Sequence, residues 1–180
     1  CLTTTLPAAK RLHAIAVERK VSLASGTSVA TTFRLPDVDV SEGTALTEAL
    51  IVVQGSRPMA ELLAMEGLSP VIGRRNGGES GIRSVRRIDG RDVWRAGDKG
   101  EWSWALLKAA ISRSNTNQGD AHIDARTQDL VGLGLVKKLA RDPRGWIVEH
   151  RDGLRSTVLV LDGVIADFNF AVRARDGTIT

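Results

Sequence analysis

The chain has no tyrosine, only three phenylalanines and four tryptophans, and a single cysteine. One cysteine rules out an internal disulfide and any zinc site built on several thiolates. So few rings leave no stacking platform for single-stranded nucleic acid, and no nucleic-acid partner is expected. No apolar run approaches the roughly 20 residues of a membrane-spanning helix, so no membrane partner is expected either. His13, His122 and His150 stand far apart without ligand spacing, and no metal site is expected. A G-x-G-x-x-G fingerprint opening a helix after a strand is also missing; VGLGLV (131–136) only approaches its spacing.

What is present suits a globular chain with a sizeable core: 180 residues, 42% hydrophobic, 26% charged, formal net charge +4. That mild positive charge is compatible with an anionic ligand and does not require nucleic acid. Cys1 stands where a complete translation product carries methionine. It reads as an N-terminal nucleophile, a lipid-anchor cysteine, or an internal residue of a longer chain. A helix beginning a few residues later disfavours the first two, so a truncated chain is expected.

Thr5-Leu6-Pro7 followed by AAKRLHAIAVERK predicts a helix with a Thr N-cap and Pro in its first turn. VSLAS (21–25) then predicts a short strand, and the pair reads as half of a β-α-β unit. ALTEALIVVQG predicts a second strand, and RPMAELLAMEGLSPVIGRR a helix that Pro70 should kink or split. Met59, Leu62, Leu63 and Glu66 share helical spacing there. SGIRSVRRIDG predicts a solvated edge strand, its arginines divided between two faces. EWSWALLKAAISRS predicts an amphipathic helix with Trp104, Leu107 and Ile111 on one stripe. The end predicts an antiparallel meander: GWIVEHR, LRSTVLVLD and VIADFNFAVRARD, joined by hairpin signals at Asp152-Gly153 and Asp162-Gly163. Alternation in the last strand predicts one packed face and one more polar face.

The opening resembles a segment of the glucose–fructose oxidoreductase/inositol dehydrogenase (Gfo/Idh/MocA-type) family. Leu2, Thr5, Leu6, Ala9, Lys10, Arg11, Leu12, Ala16, Val21 and Leu23 stand at matching positions, and Cys1 falls on the Pro of that family's Glu-Lys-Pro motif. The stretches GTSVATTFRLP, RRNGGESGI, DVW and HRDGLRSTVLVLDGVIADFNF are similar to a bacterial branch of such proteins. The resemblance implies an α/β fold: a remnant of a Rossmann-type β-α-β unit, then a mostly antiparallel sheet with helices packed on one face. It implies residues 1–28 as the tail of a dinucleotide-binding domain and 29–180 as a substrate and oligomerisation domain. It further implies a cytoplasmic, oxidoreductase-like protein acting on a sugar or polyol. NAD or NADP would serve the full-length protein, with none bound by this chain alone. The alternative is a non-catalytic binding or dimerisation module, a homo-oligomer through its sheet.

For a small-molecule ligand the candidate residues are Glu66, Arg74, Arg75, Gly77, Gly78 and Glu79. Two glycines permit close backbone approach to an anion, the arginines offer charge-assisted bonds, and Glu79 offers a base or hydroxyl acceptor. The blander and favoured reading of RRNGGES is a helix C-terminus with a Gly cap and a Glu–Arg pair. Glu66, on an otherwise apolar helix, needs a partner or a cleft.

Overall fold

A computed structural model describes residues 5–23, 28–31, 34, 40–55, 59–124 and 127–180. Cys1, Leu2 and most of the 24–39 loop lie outside them. The chain folds as a mixed α/β protein around one five-stranded sheet. In chain order the elements are α1 (Leu6–Arg19), a 3₁₀ turn (Ser28–Thr31), β1 (Leu46–Val53), α2 (Ala60–Ile72), β2 (Ile82–Asp89), α3 (Arg91–Asp98), α4 (Trp104–Ile111), α5 (Val136–Leu139), β3 (Arg141–His150), β4 (Arg155–Asp162) and β5 (Phe168–Ala174). The spatial order of strands is β2-β3-β4-β1-β5.

That order corrects the expected terminal meander. β3 and β4 form the antiparallel hairpin that Asp152-Gly153 signals, but β4 and β5 are not neighbours. β1 lies between them, parallel to β4 and antiparallel to β5. Asp162-Gly163 therefore marks a turn, with Gly163 at φ 85°, and not a hairpin. The physical reason lies in β1, whose run ALIVV is apolar on both faces and needs both its edges hydrogen-bonded inside the sheet.

The helices flank both faces of the sheet, which corrects the expectation of one. On one face Leu50, Val52, Ile147, Leu159, Leu161 and Ala171 pack with Val93, Trp102, Leu107 and Ile111 from α3, α4 and their connection. On the other, Ala49, Ile51, Val53, Val158, Val160 and Val172 pack with Ala60, Ala64, Leu68 and Val71 of α2. β5 accordingly buries residues of both parities, Asn169, Ala171 and Val172 among them, so its expected polar face is covered.

Local chemistry explains the elements. α4 starts at Ser103, whose hydroxyl accepts from the Leu106 N–H at 3.3 Å. α3 was not legible as a helix in GRDVWRAGDKG; it forms because Val93 and Ala96 cap the core. Trp102 beneath it donates to the Val93 carbonyl at 2.8 Å. A Cβ at Gly97 would come within 2.4 Å of the Trp102 ring, so only glycine fits there. α2 runs through Pro70 without the expected split, because only Val71 and Ile72 remain beyond it and few hydrogen bonds are lost. Its buried stripe includes Ala60, Ala64 and Leu68, whereas Met59 and Leu62 are exposed. Small residues let the helix lie close on the sheet.

α1 matches its expected span and ends at Lys20 in the left-handed region, but it buries no residue. Val21–Leu23 form no strand, which corrects the strand expected over VSLAS in its described part; Ala24 and Ser25 lie outside the described residues. The two sheet edges differ. β2 is exposed at seven of its eight positions, as expected of a solvated edge. β5 is sealed by residues 178–180, with Val172 and Thr180 exchanging hydrogen bonds of 2.8 and 3.0 Å. Among the described residues no helix is long and apolar enough to cross a membrane.

Candidate functional site

The RRNGGES turn follows α2 and is tied down on arrival. The Gly43 N–H donates to the Arg74 carbonyl at 2.8 Å, and the Asn76 N–H to the Thr44 carbonyl at 3.0 Å. This pulls Arg75 inward until it is 3% exposed, leaving Arg74 on the surface. The Arg75 guanidinium is then divided among four acceptors. Nε donates to Asp152 Oδ2 at 2.7 Å, Nη1 to the Ile72 carbonyl at 2.8 Å and to Glu79 Oε2 at 3.5 Å, and Nη2 to Ser80 Oγ at 3.4 Å. Gly77 and Gly78 take positive φ (82° and 64°) to reverse the chain. The Gly78 N–H closes on the Arg75 carbonyl at 2.8 Å and is not offered to an anion. Glu66 stands half-buried in the middle of α2. Arg75 and Glu79 thus form the Glu–Arg pair at a helix end that the sequence favoured, although the helix is capped at Gly73 and not at Gly77 or Gly78, and Asp152 of the β3–β4 hairpin joins the clasp from far along the chain.

Glu79 continues the clasp. Its Oε1 accepts from the Gly81 N–H at 2.7 Å and faces His150 Nδ1 at 3.4 Å, while His150 Nε2 meets Ser156 Oγ at 2.9 Å. Burial works against the Glu79 charge, but the hydrogen bonds from Gly81 and His150 and the fields of His150 and Arg75 outweigh it and hold its pKa low. Asp152 is likewise held low: burial opposes, and the bonds from Arg75 and the Leu154 N–H prevail.

Ser156, His150 and Glu79 stand in the order of nucleophile, base and orienting carboxylate of a hydrolase, but not with its surroundings. Ser156 is 6% exposed and paired on both sides, with Val148 and Ala49. The hairpin N–H groups that would hold an oxyanion are engaged: Asp152 with Ser80 Oγ, Gly153 with the His150 carbonyl, Leu154 with Asp152 Oδ1. A buried serine without oxyanion donors is a hydrogen-bond relay.

A second constellation lies beside the clasp and shares His150 with it. Thr47, Glu48, Arg83, Glu149, His150, Gly153 and Arg155 line a groove of about 310 Å³. Its floor is set by strand register. Ser84, Glu149, Arg155, Glu48 and Arg173 are successive cross-strand partners, one per strand, across the whole sheet. Arg155 pairs with Glu48, and Arg173 holds the other Glu48 oxygen at 2.9 Å. Arg173 also donates to Ser103 Oγ at 2.9 Å, and Ser84 Oγ donates to Glu149 Oε2 at 3.1 Å.

Two β-bulges border that row. Leu46 pairs with Ala174 and Glu48 with Arg173, so Thr47 is in excess on β1. Ile82 pairs with His150 and Ser84 with Glu149, so Arg83 is in excess on β2. A bulge takes one residue out of the strand's alternation and redirects its side chain. Here both redirected residues line the same groove. Arg83 has no hydrogen bond or ion pair among the described residues. The sequence reading singled out none of Thr47, Glu48, Glu149 and Arg155 and saw Arg83 only as an edge-strand charge, because a bulge is a property of pairing.

A nicotinamide dinucleotide needs a glycine turn between strand and helix with free N–H groups. VGLGLV does not supply one. It follows no strand and precedes a helix of four residues. Its N–H groups are also engaged: Gly132 with Asp129 Oδ1 at 2.8 Å, Gly134 with the Val131 carbonyl at 3.0 Å, Leu135 with the Leu130 carbonyl at 2.9 Å. Among the described residues no group of three or more His, Cys, Asp or Glu is gathered to hold a metal. Comparison with protein-family models, curated proteins and solved structures finds no match.

Proposed function

We propose that this chain is the ligand-contacting sheet domain of an oxidoreductase-like cytoplasmic protein that takes a sugar or polyol. The observation supporting ligand binding is the pair of bulges that turn Thr47 and Arg83 into one groove over a row of alternating charges. The groove's size suits a small molecule. Carboxylates such as Glu149 accept from hydroxyls, guanidinium groups donate to them, and the Thr47 hydroxyl oxygen accepts. The oxidoreductase part rests on the likeness of the opening segment and of the α/β architecture. The hydride chemistry would belong to a nicotinamide cofactor bound by a separate dinucleotide-binding segment, and the described residues take no step with it.

Titration calorimetry of the 180-residue chain with glucose, sorbitol and myo-inositol tests this reading. Saturable heat that Glu149→Gln weakens supports it; no binding by any polyol refutes it. Fluorescence titration with NADH should give no micromolar binding, because the glycine turn lacks free donors.

The second reading, a homo-oligomeric module without catalysis, draws on the exposed β2 edge, which has no covering segment among the described residues. A stable dimer by light scattering together with no polyol binding would favour it over the first.

A further inference from the structure

We infer that the ligand of the β-bulge groove carries a carboxylate beside its hydroxyls, making it a polyhydroxy acid and not a neutral polyol. The inference rests on the groove's being a ligand site and asks which charges there still need a partner. Glu48 is held by Arg155 and Arg173, so these three charges form a closed floor. Glu149 is different: one oxygen takes the Ser84 hydroxyl, and no ion pair reaches it among the described residues. Arg83, on the neighbouring strand, has neither a hydrogen bond nor an ion pair there. Among the described residues the groove therefore offers one free cation and one free carboxylate, both exposed.

A neutral polyol would satisfy Glu149 and leave the guanidinium with hydroxyls alone. A carboxylate would give Arg83 a charge-assisted, bidentate partner, a stronger and more directional contact. A ligand that is anionic throughout would meet Glu149 and Glu48 and be repelled. The combination that fits both ends is a carboxylate toward Arg83 and hydroxyl donors toward Glu149. Thr47 adds to the hydroxyl end, since its Oγ1 donates to the Arg173 carbonyl at 3.3 Å and keeps its lone pairs for a ligand. The groove's volume of about 310 Å³ places it at the small end of small-molecule sites, the scale of a six-carbon sugar acid.

The test is calorimetry on the full chain at low ionic strength with D-gluconate and D-glucuronate against sorbitol and glucose, and with acetate as the bare anion. The acids should bind at least tenfold more tightly than their neutral counterparts, and added salt should shrink the difference. Arg83→Gln should abolish that preference with the melting temperature unchanged. Glu149→Gln should weaken acid and polyol alike. Polyols binding as well as the acids, or an acid preference that survives Arg83→Gln, would overturn the inference and leave the polyol reading standing. Acetate binding as tightly as gluconate would overturn it from the other side, by removing the hydroxyl contacts. No binding of any of these compounds would overturn both.

Discussion

Two arginines at one end of the sheet show how the same residue type comes to serve opposite ends. Arg75 is buried, with each of its guanidinium nitrogens on a protein acceptor and two carboxylates beside it. Arg83 is exposed, carried out of alternation by a bulge, and without a partner among the described residues. A ligand gains from a charge only if folding has not already satisfied it. Breaking a pair inside the protein costs stability; adding a partner at a free charge gains binding. The clasp therefore belongs to the fold and the groove to whatever binds.

The largest perturbation removes the support of both regions. Deleting residues 164–180 takes away β5 with Phe168, Phe170 and Val172, and with it Arg173, which anchors Glu48. It also opens an edge of β1, the most apolar strand, and not that of β4, because β5 pairs with β1. The expected product is insoluble or molten; a soluble truncation with a cooperative urea transition would show that β5 is not integral to the core.

Arg75→Ala comes next. It takes the buried guanidinium from Asp152 and Glu79, whose carboxylates still reach solvent, and should cost about 2 kcal/mol of unfolding free energy in urea denaturation. Unchanged stability with weakened gluconate binding would move Arg75 to the ligand side and erase the contrast between the two arginines.

Acid should act on the clasp more gently. The folded-state pKa values of Glu79 and Asp152 are depressed below their ordinary 4.5 and 3.8. A depressed carboxylate contributes stability that is present above its unfolded-state pKa and lost as pH falls through the folded one. Unfolding free energy should therefore decline as pH drops below about 4.5 and continue to decline below 3.8. In Arg75→Ala the slope over that window should be shallower. Equal slopes in the two proteins would show that the acid response arises elsewhere.

Arg83→Gln should have the smallest effect on folding, within about 0.5 kcal/mol, as for an exposed side chain without partners. A loss of about 2 kcal/mol or more, the scale of a lost buried network, would mean that Arg83 also belongs to the fold.

Much of the secondary structure was legible because it depends on neighbours in sequence. Thr5 and Pro7 at the start of α1, the ALIVV run of β1, the arginine-divided β2 and the Asp152-Gly153 hairpin all appear where local pattern places them. α3 was hidden because its burial is tertiary in origin and its glycines read as turn. Of the candidate residues, Arg75 and Glu79 meet in one cluster, while Arg74 is at the surface and Glu66 remains within α2. Nothing near Arg75 in sequence announces Asp152 as its partner, since a contact spanning 77 positions is visible only in the fold.

By itself, the sequence determined the α/β class, most strand and helix spans and the exposed cationic edge. Each follows from periodicity, turn chemistry or composition, which act over a few residues. Only the tertiary structure decided that β1 enters between β4 and β5, that helices cover both faces, and that Thr47 and Arg83 become bulges over one groove. Those outcomes depend on which strand edges and apolar faces find each other. The register of distant strands sets which charges are satisfied and which remain open, and no local pattern carries that information.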